Sequence, residues 1–555
     1  MRLKDMKSFA QLIKFDNVWV YLVVALLNTL ILFMVSYKFF QTMQQCGYDA
    51  FEYKKWLKKK ENAFLLRTAM TSMLSMFLFL AASVAFLFWK SPFESYIGFV
   101  FYIYFIAIYK HKDRQIKKKL PLVHTKRMVR QMCVCGVLFF VFSLVVTFAC
   151  DAIFYPLRNN DIIAVRYFLI CLTPMFVPYA VLLSCKIISP FERANNAKYV
   201  AKLTKKLDDT QGLIKIGITG SYGKTSVKNI LTAMLEKKYK VLSTPKSYNT
   251  PLGICKSLQC LDDTYEVFVA EMGAKRKGDI KALCEMVKPD YAIMCGITNQ
   301  HMETFGTMEN LVETKYELIQ NMKGNYVVFS GESEQSVKMY YRCEKEKTLA
   351  GIGSKNEVYA DDIKYSQQGS EFTLNINGEK INCKTKLLGS GNVENICLSA
   401  ALAYKMGVSL EEISAAIENL EPTPHRMEVQ ITAAGVTVID DAYNCNPVGV
   451  KIALDTLKLF DGNKIVVTPG MVEQGKDEDK LNYEFGKLLA QIADYVIPVG
   501  KYGAYKIRDA LIDEGFNSQN VLPAKTLEDA KTILARIVKS GDTVLFENDL
   551  PDKFE

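Results

Sequence analysis

The chain has 555 residues, half of them hydrophobic, with a formal net charge of +10 and 14 cysteines. Length allows three or four domains. The cysteines are scattered, with no C-x-x-C pair or zinc spacing, which excludes a disulfide framework. The basic clusters flank apolar runs, so the charge reads as membrane orientation and excludes nucleic acid as a partner.

Five apolar spans come first: Val18–Val35, Ala69–Trp89, Phe93–Tyr109, Met132–Phe154 and Ile162–Ile188. Each is near or above the ~20 residues needed to cross hydrocarbon, the third only marginally. They predict an α-helical, multi-pass transmembrane domain over residues 1–190 of a cell-membrane protein, without a cleavable leader. Lys and Arg set its orientation. The loop Lys110–Arg130, the segment Tyr53–Lys60, and Arg193, Lys198, Lys202, Lys205 and Lys206 belong on the cytoplasmic side, with Asp151–Asp161 outside. Five spans then put the N-terminus outside, in conflict with Arg2, Lys4, Lys7 and Lys14. Residues 191–211 form a polar linker, expected as a juxtamembrane helix that returns the soluble half to the cytoplasm.

An apolar run, Leu213–Ile218, then ends in Thr219-Gly220-Ser221-Tyr222-Gly223-Lys224-Thr225-Ser226. A helix pattern follows at Val227, Ile230, Leu231, Met234 and Leu235. Strand, glycine loop and helix make a phosphate cradle. Backbone N–H groups face the anion, Lys224 reaches the terminal phosphates, and Thr225 can ligate Mg2+. Strict Walker A has glycine at position 218, which here is Ile.

Further strings follow: Thr244-Pro-Lys-Ser-Tyr-Asn-Thr-Pro-Leu-Gly253, Phe268-Val-Ala-Glu-Met-Gly273, Pro289 to His301, and Met302-Glu-Thr-Phe-Gly306 before Thr314-Lys-Tyr-Glu-Leu-Ile319. With the loop, these resemble the Mur ligases, ATP-dependent amide ligases that build the peptidoglycan stem peptide. The likeness is closest to the branch that adds D-alanyl-D-alanine. It covers about residues 212–550 and none of the membrane half.

Glu271 also has a case of its own. It ends the apolar run Val267–Ala270, and strand-end carboxylates face the crevice where α/β folds bind ligands. The resemblance makes it a magnesium ligand beside Thr225, and makes His301 a ligand of a second Mg2+, although Mg2+ prefers oxygen. Lys315 reads either as a solvated helix lysine or, by resemblance, as a carbamylated lysine serving as a carboxylate near the metals; that requires a lysine whose pKa burial lowers. Asn392 reads as a helix N-cap; the resemblance puts Asn392 and Asn395 against the nucleotide. Between Lys323 and Lys386 lie strand signals at Tyr326–Phe329, Phe372–Ile376 and Ile381–Lys384, with Asn377-Gly378 as a hairpin turn.

A proline-marked linker, Glu421–Glu428, carries Arg426, which the resemblance places beside the ATP phosphates. Strands at Val436–Asp440, Lys464–Pro469, Tyr495–Val499, Asn520–Leu522 and Thr543–Phe546 predict a Rossmann-like parallel sheet. Ile439-Asp-Asp-Ala-Tyr-Asn-Cys-Asn-Pro447 resembles the motif that meets ATP across the cleft, through Asp441 and Asn444. Glu473-Gln474 departs from the commoner Glu-Leu, and Phe546-Glu-Asn-Asp-Leu-Pro551 from the usual Lys-Gly-Ser-Arg.

The expected fold is therefore an α-helical transmembrane domain followed by α/β: a P-loop Mur ligase central domain (212–420) and a Rossmann-like C-terminal domain (421–555). The implied activity uses ATP and Mg2+ to join an amino acid or dipeptide to a cell-wall precursor, lipid-linked or nucleotide-linked. A ligase polymerising amino acids, as in poly-γ-glutamate, and a nucleotide-binding scaffold without catalysis are the alternatives.

Overall fold

A computed structural model describes residues 18–58, 63–89, 97–115, 120–153, 164–443, 445–500 and 503–549. It divides into two compact units, one ending at Asn196 and the other spanning Ala197–Asp549.

In the first unit, helices span Val18–Gln45, Ala50–Lys58, Ala63–Trp89, Ile97–Gln115 and Lys126–Ile153. A 3-10 segment, Ala164–Phe176, leads into a helix over Val177–Asp209. Among the described residues, three stretches are long and apolar enough to cross a membrane: Tyr21–Gln45, Lys126–Cys150 and Leu169–Asp209. Thr68–Ala81 is a shorter apolar helix. The unit has an apolar interior, including Leu32, Phe39, Phe40, Met43 and Phe139, and unlike a water-soluble bundle it is apolar outside as well. Val23, Leu27, Leu30, Phe77, Ile103, Val137, Val141 and Val145 are exposed. Asn28, Ser143 and Thr173 are buried beside Tyr102. The Asn28 amide donates to Ser143 Oγ at 2.9 Å and to Thr173 Oγ1 at 3.1 Å, while Tyr102 O–H donates to Asn28 Oδ1 at 3.0 Å.

Three expectations need correction here. Lys110–Arg130 is not a loop throughout, because one helix continues to Gln115 and the next begins at Lys126; basic residues remain good helix formers beyond an apolar stretch. The fifth span is not a single α-helix: Pro174, inside the 3-10 segment, and Pro178 each lack the N–H of a regular ladder. Finally, the 191–211 linker is helical but not separate, since the helix from Val177 runs on to Asp209. The N-terminal lysines lie outside the described residues.

The second unit holds two sheets. Nine strands are β1 Ile214–Thr219, β2 Val241–Ser243, β3 Val267–Glu271, β4 Tyr291–Met294, β5 Tyr326–Ser330, β6 Glu346–Ile352, β7 Val358–Ser366, β8 Gly369–Ile376 and β9 Glu379–Thr385. Their order is β2-β3-β1-β4-β5-β6-β7-β8-β9. The strands from β2 to β7 pair in parallel, and β7, β8 and β9 pair antiparallel. Alternating side chains divide the core between two faces. Ile216, Ile218, Val267 and Val269 join one apolar cluster, and Phe268 and Ala270 join another. Helices cover both, so these strands read as continuous apolar runs. The expected hairpin is present: Asn377 and Gly378 both adopt positive φ, 51° and 86°, between β8 and β9.

The other sheet contains β10 Glu428–Ile431, β11 Thr437–Asp441, β12 Lys464–Thr468, β13 Tyr495–Pro498 and β14 Thr543–Glu547, ordered β10-β11-β14-β12-β13. All pairings are parallel except β10 with β11. Strand β10, directly after the proline-marked linker, was not foreseen. Asn520–Leu522 is not a strand: Ser518–Asn520 forms a 3-10 turn, and Val521 makes a single bridge to Val496.

Candidate active site

Strand β1 lies between β3 and β4, so its end opens between two other strand ends. The loop 220–223 leaves β1 there and starts the helix Lys224–Leu235. Two of its glycines are required by space. A Cβ on Gly220 would stand 2.7 Å from Cys295 Cβ, and one on Gly223 would stand 2.6 Å from Asn395 Oδ1. Gly223 also has a left-handed φ of 81°. Lys224 Nζ donates to the carbonyls of Gly220 and Ser221, both at 2.9 Å, which curls it over the loop. Burial lowers its proton affinity, and Arg426 adds to the effect. Thr219 and Ser221 brace the loop through their hydroxyls, donating to Met272 O at 2.8 Å and Thr298 O at 2.9 Å. Tyr222 and Ser226 complete it, Tyr222 packing close over Gly296.

Glu271 ends β3 and is 1% exposed. Thr225 Oγ1 donates to its Oε2 at 2.8 Å, and Asn249 Nδ2 donates to its Oε1 at 2.9 Å. Ser247 Oγ lies 3.4 Å from Thr225 Oγ1. Lys228 Nζ stands 3.8 Å from Glu271 Oε2 and donates to the Lys246 carbonyl. A buried carboxylate and two hydroxyls form an oxygen donor set of the kind Mg2+ takes, with the Asn249 amide N–H fixing the carboxylate. The Lys228 ammonium supplies positive charge beside the same carboxylate.

Lys315 lies on the helix Met308–Asn321 but is 3% exposed, so it is not a solvated lysine. No carboxylate pairs with it among the described residues. Burial, then the nearby Lys224 ammonium, pushes it down to about 7. His301, in a left-handed conformation with φ 53°, places Nδ1 2.6 Å from Oε2 of Glu473, itself at φ 63°. This joins the nine-stranded part of the unit to the loop after β12.

Asn392 is not the N-cap of its helix. Gly389 occupies that position, the helix runs Ser390–Lys405, and the Asn392 amide donates to Leu388 O at 2.9 Å. Asn395 reaches the phosphate loop instead, one turn further along. Arg426 lies with Cζ 4.3 Å from the Tyr443 ring centroid, and its charge acts on Lys224, Lys228 and Asp441. Asp441 Oδ1 accepts the Met427 N–H at 3.2 Å. Asn444 lies outside the described residues. His425, Glu428 and Asp440 form a partly exposed set with metal-like spacing, in which His425 Nδ1 and Asp440 Oδ2 are 2.8 Å apart.

Sequence reasoning missed Lys228, Asn249 and Glu473 as partners. Only Lys228 left a signal: it is a lysine next to Val227 and one turn before Leu231 on the buried face of an amphipathic helix, four residues from Lys224.

A phosphate loop on one parallel sheet, facing a second parallel sheet through Arg426, defines a two-domain nucleotide-dependent enzyme. Residues 218–403 match the family model of the Mur ligase middle domain, and residues 425–547 that of the Mur ligase glutamate ligase domain. The UDP-N-acetylmuramoyl-tripeptide--D-alanyl-D-alanine ligase of Bacillus subtilis is 30% identical over 349 residues, 62% of this chain and 75% of that protein. The enzyme of the same name from Escherichia coli is 26% identical over 290 residues, 52% and 64% respectively. Among solved structures, MurF ligase from Thermotoga maritima in complex with ADP is 27% identical with a TM-score of 0.57, over 64% of this chain and 80% of that one. MurF from Acinetobacter baumannii, 22% identical, shares the fold with a TM-score of 0.58 over 64% and 77%. The chain belongs to the Mur ligase family and is an ATP-dependent ligase forming amide bonds.

Proposed function

We propose that this protein is a membrane-anchored ligase that joins an amine, either an amino acid or D-alanyl-D-alanine, to the carboxyl group of a peptidoglycan precursor. The observation that carries the reading is the convergence of Lys224, Thr225, Glu271 and buried Lys315 at the end of β1. The acceptor carboxylate attacks the γ-phosphate to give an acyl phosphate and ADP. The amine then attacks the acyl carbon and phosphate leaves, with the amine's proton passing to solvent. Positioning and charge neutralisation dominate such phosphoryl transfer.

In this reading the backbone of Thr219–Ser226 cradles the phosphates, and Lys224 neutralises them. Asn392 and Asn395 border the nucleotide, with Asp441 and Asn444 meeting it from the other domain. Thr225 and Glu271 would hold Mg2+, and His301 with carbamylated Lys315 a second ion; the metals would supply Lewis-acid charge at the phosphates. Arg426 neutralises developing charge from across the cleft. The cleft protects the acyl phosphate from water.

The membrane assignment is supported by the apolar exterior of the first unit and by the hydrogen-bonded Asn28 cluster held inside it. A protein held at the bilayer favours a lipid-linked acceptor over a soluble nucleotide-linked one, with the ligase domains on the cytoplasmic side. The test is mass spectrometry of products from the full-length protein in lipid, with ATP, D-alanyl-D-alanine and paired soluble and lipid-linked precursors. A condensation product on the lipid-linked precursor alone is expected. Equal turnover of the soluble precursor overturns the lipid assignment; no product and no amine-dependent phosphate release, with these or with glutamate, overturns the ligase reading in favour of a scaffold.

A further inference from the structure

Asp441 closes β11 and Glu547 closes β14, and the two are register partners in adjacent parallel strands. Register partners point to the same face of a sheet. Two carboxyl groups therefore meet at the carboxyl edge of the five-stranded sheet, where open α/β folds receive ligands. Glu547 is 1% exposed, and neither of its oxygens has a nitrogen or oxygen hydrogen-bond partner among the described residues. The Cys445 thiol lies beside it. Asp441 is half-buried and accepts one backbone N–H.

A carboxyl group sealed away with only a thiol, a weak donor, beside it is costly. If this strand end had only to close a sheet, an amide or an apolar side chain would do so at lower free energy. The chain that follows β14 adds another acidic residue, in Glu547-Asn548-Asp549.

We propose that Asp441 and Glu547 form the seat for the ammonium group of the incoming amine. The proposal rests on the ligase reading and deepens it. An ammonium is compact and has three N–H donors, which suits two facing carboxyls with unused acceptor atoms. A metal ion fits less well: among the described residues the set with metal-like spacing is His425, Glu428 and Asp440, and it excludes both Asp441 and Glu547. Arg426 does not fill the seat, because its guanidinium lies over the Tyr443 ring. Its charge nevertheless acts on both Asp441 and Lys224, so the seat and the phosphate loop share one stretch of cleft.

The charge state of the empty seat agrees. Burial raises both carboxyls, Glu547 the more strongly; the Asp441 charge adds to the rise at Glu547, while Arg426 opposes the rise at Asp441, and a proton held in place of a cation is favoured at Glu547. An arriving ammonium substitutes for that proton, which leaves the carboxyl oxygen for solvent.

The test is calorimetry on the full-length, ADP-loaded protein with D-alanyl-D-alanine, D-alanine, L-alanine and L-lysine, and with N-acetyl-D-alanyl-D-alanine as the control lacking an ammonium. At least one free amine binds, and acetylation of D-alanyl-D-alanine abolishes its binding. Glu547→Gln weakens the amine by about tenfold or more, leaves ADP affinity within about twofold of the parent, and keeps or raises Tm, because an unpaired buried carboxyl is lost. The proposal is overturned if no free amine binds, if the acetylated dipeptide binds equally well, or if Glu547→Gln keeps its amine affinity. A fall in Tm with unchanged amine affinity assigns the carboxyl to a structural water only. Amine binding that depends on Glu547, without amine-dependent phosphate release, would sink the ligase reading and leave the seat standing. Release with an unchanged KM for the amine in Glu547→Gln would sink the seat alone.

Discussion

His301 and Glu473 touch across the cleft, with Nδ1 and Oε2 2.6 Å apart, and both residues adopt left-handed backbone conformations to do so. Each conformation is uncommon outside glycine and is kept only where the surroundings impose it. The pair therefore couples the segment after β4 to the loop after β12 in the second sheet.

Removing that coupling should slow turnover more than it weakens nucleotide binding, because closure completes the site after ATP has docked. Glu473→Ala is expected to lower kcat by about tenfold, with ATP Kd nearly unchanged. Steady-state kinetics and equilibrium binding of ATP check this. An equal loss in both would place Glu473 in the nucleotide site instead.

Thr225, Glu271 and Lys228 form a second coupled group. Glu271→Ala should reduce ATP-dependent phosphate release by about 100-fold or more, the order found when one positioned group is removed at a charged transition state. Lys228→Met leaves Glu271 buried without its cation, which destabilises more than losing both charges together. A double-mutant cycle of Lys228→Met with Glu271→Gln, read by thermal unfolding, should show a coupling of about 0.5–3 kcal/mol. Additive effects would dissolve the pair.

Lys315 sets a pH dependence. Its pKa falls from 10.5 to about 7 in the folded chain, because burial and then Lys224 oppose its charge. Between those values the unfolded chain binds more protons than the native one, so stability rises with pH across that window. Below about 7 the full penalty is present. In buffer free of carbon dioxide, Lys315→Met should therefore exceed the parent in Tm at pH 7, and the gap should narrow toward pH 10. Parallel Tm curves would refute the buried charge. A neutral amine near pH 7 also reacts with carbon dioxide: labelled bicarbonate should give a carbamate carbon signal that is absent in Lys315→Met.

Within the first unit, Asn28 hydrogen-bonds to Ser143, Thr173 and Tyr102. Asn28→Leu leaves those hydroxyls short of partners in an apolar bundle. Hydrogen bonds between membrane helices are worth about 0.6–2 kcal/mol, so the variant should unfold at lower denaturant concentration in detergent or lipid. An unchanged midpoint would mean that the network adds nothing.

The phosphate loop, its helix and the hairpin at Asn377-Gly378 were legible because each rests on local chemistry: glycines at forced turns, a 3.6-residue apolar period, and two residues with positive φ. Glu271 was legible as the polar end of an apolar strand. Strand β10 was not, because four residues after a proline-rich linker carry too little pattern. Asn392 was misassigned because cap residues are common one turn inside a glycine-led helix start. The sequence also does not pair Lys228 with Glu271, which stand 43 positions apart.

By itself, the sequence determined which segments are apolar throughout and where the glycine loop between strand and helix lies. These depend on neighbours within a few residues, where sterics and periodicity act directly. Tertiary structure alone decided protonation and partnership. Lys315 lies on a helix with a polar-looking pattern, yet burial beside Lys224 takes much of its proton affinity. Glu547 is an ordinary strand-end glutamate in the sequence, and becomes exceptional only because β14 pairs with β11 and brings Asp441 beside it. Desolvation and charge proximity depend on what packs around a group, and that is set by pairings between residues far apart in the chain, 91 positions for Lys224 and Lys315 and 106 for Asp441 and Glu547.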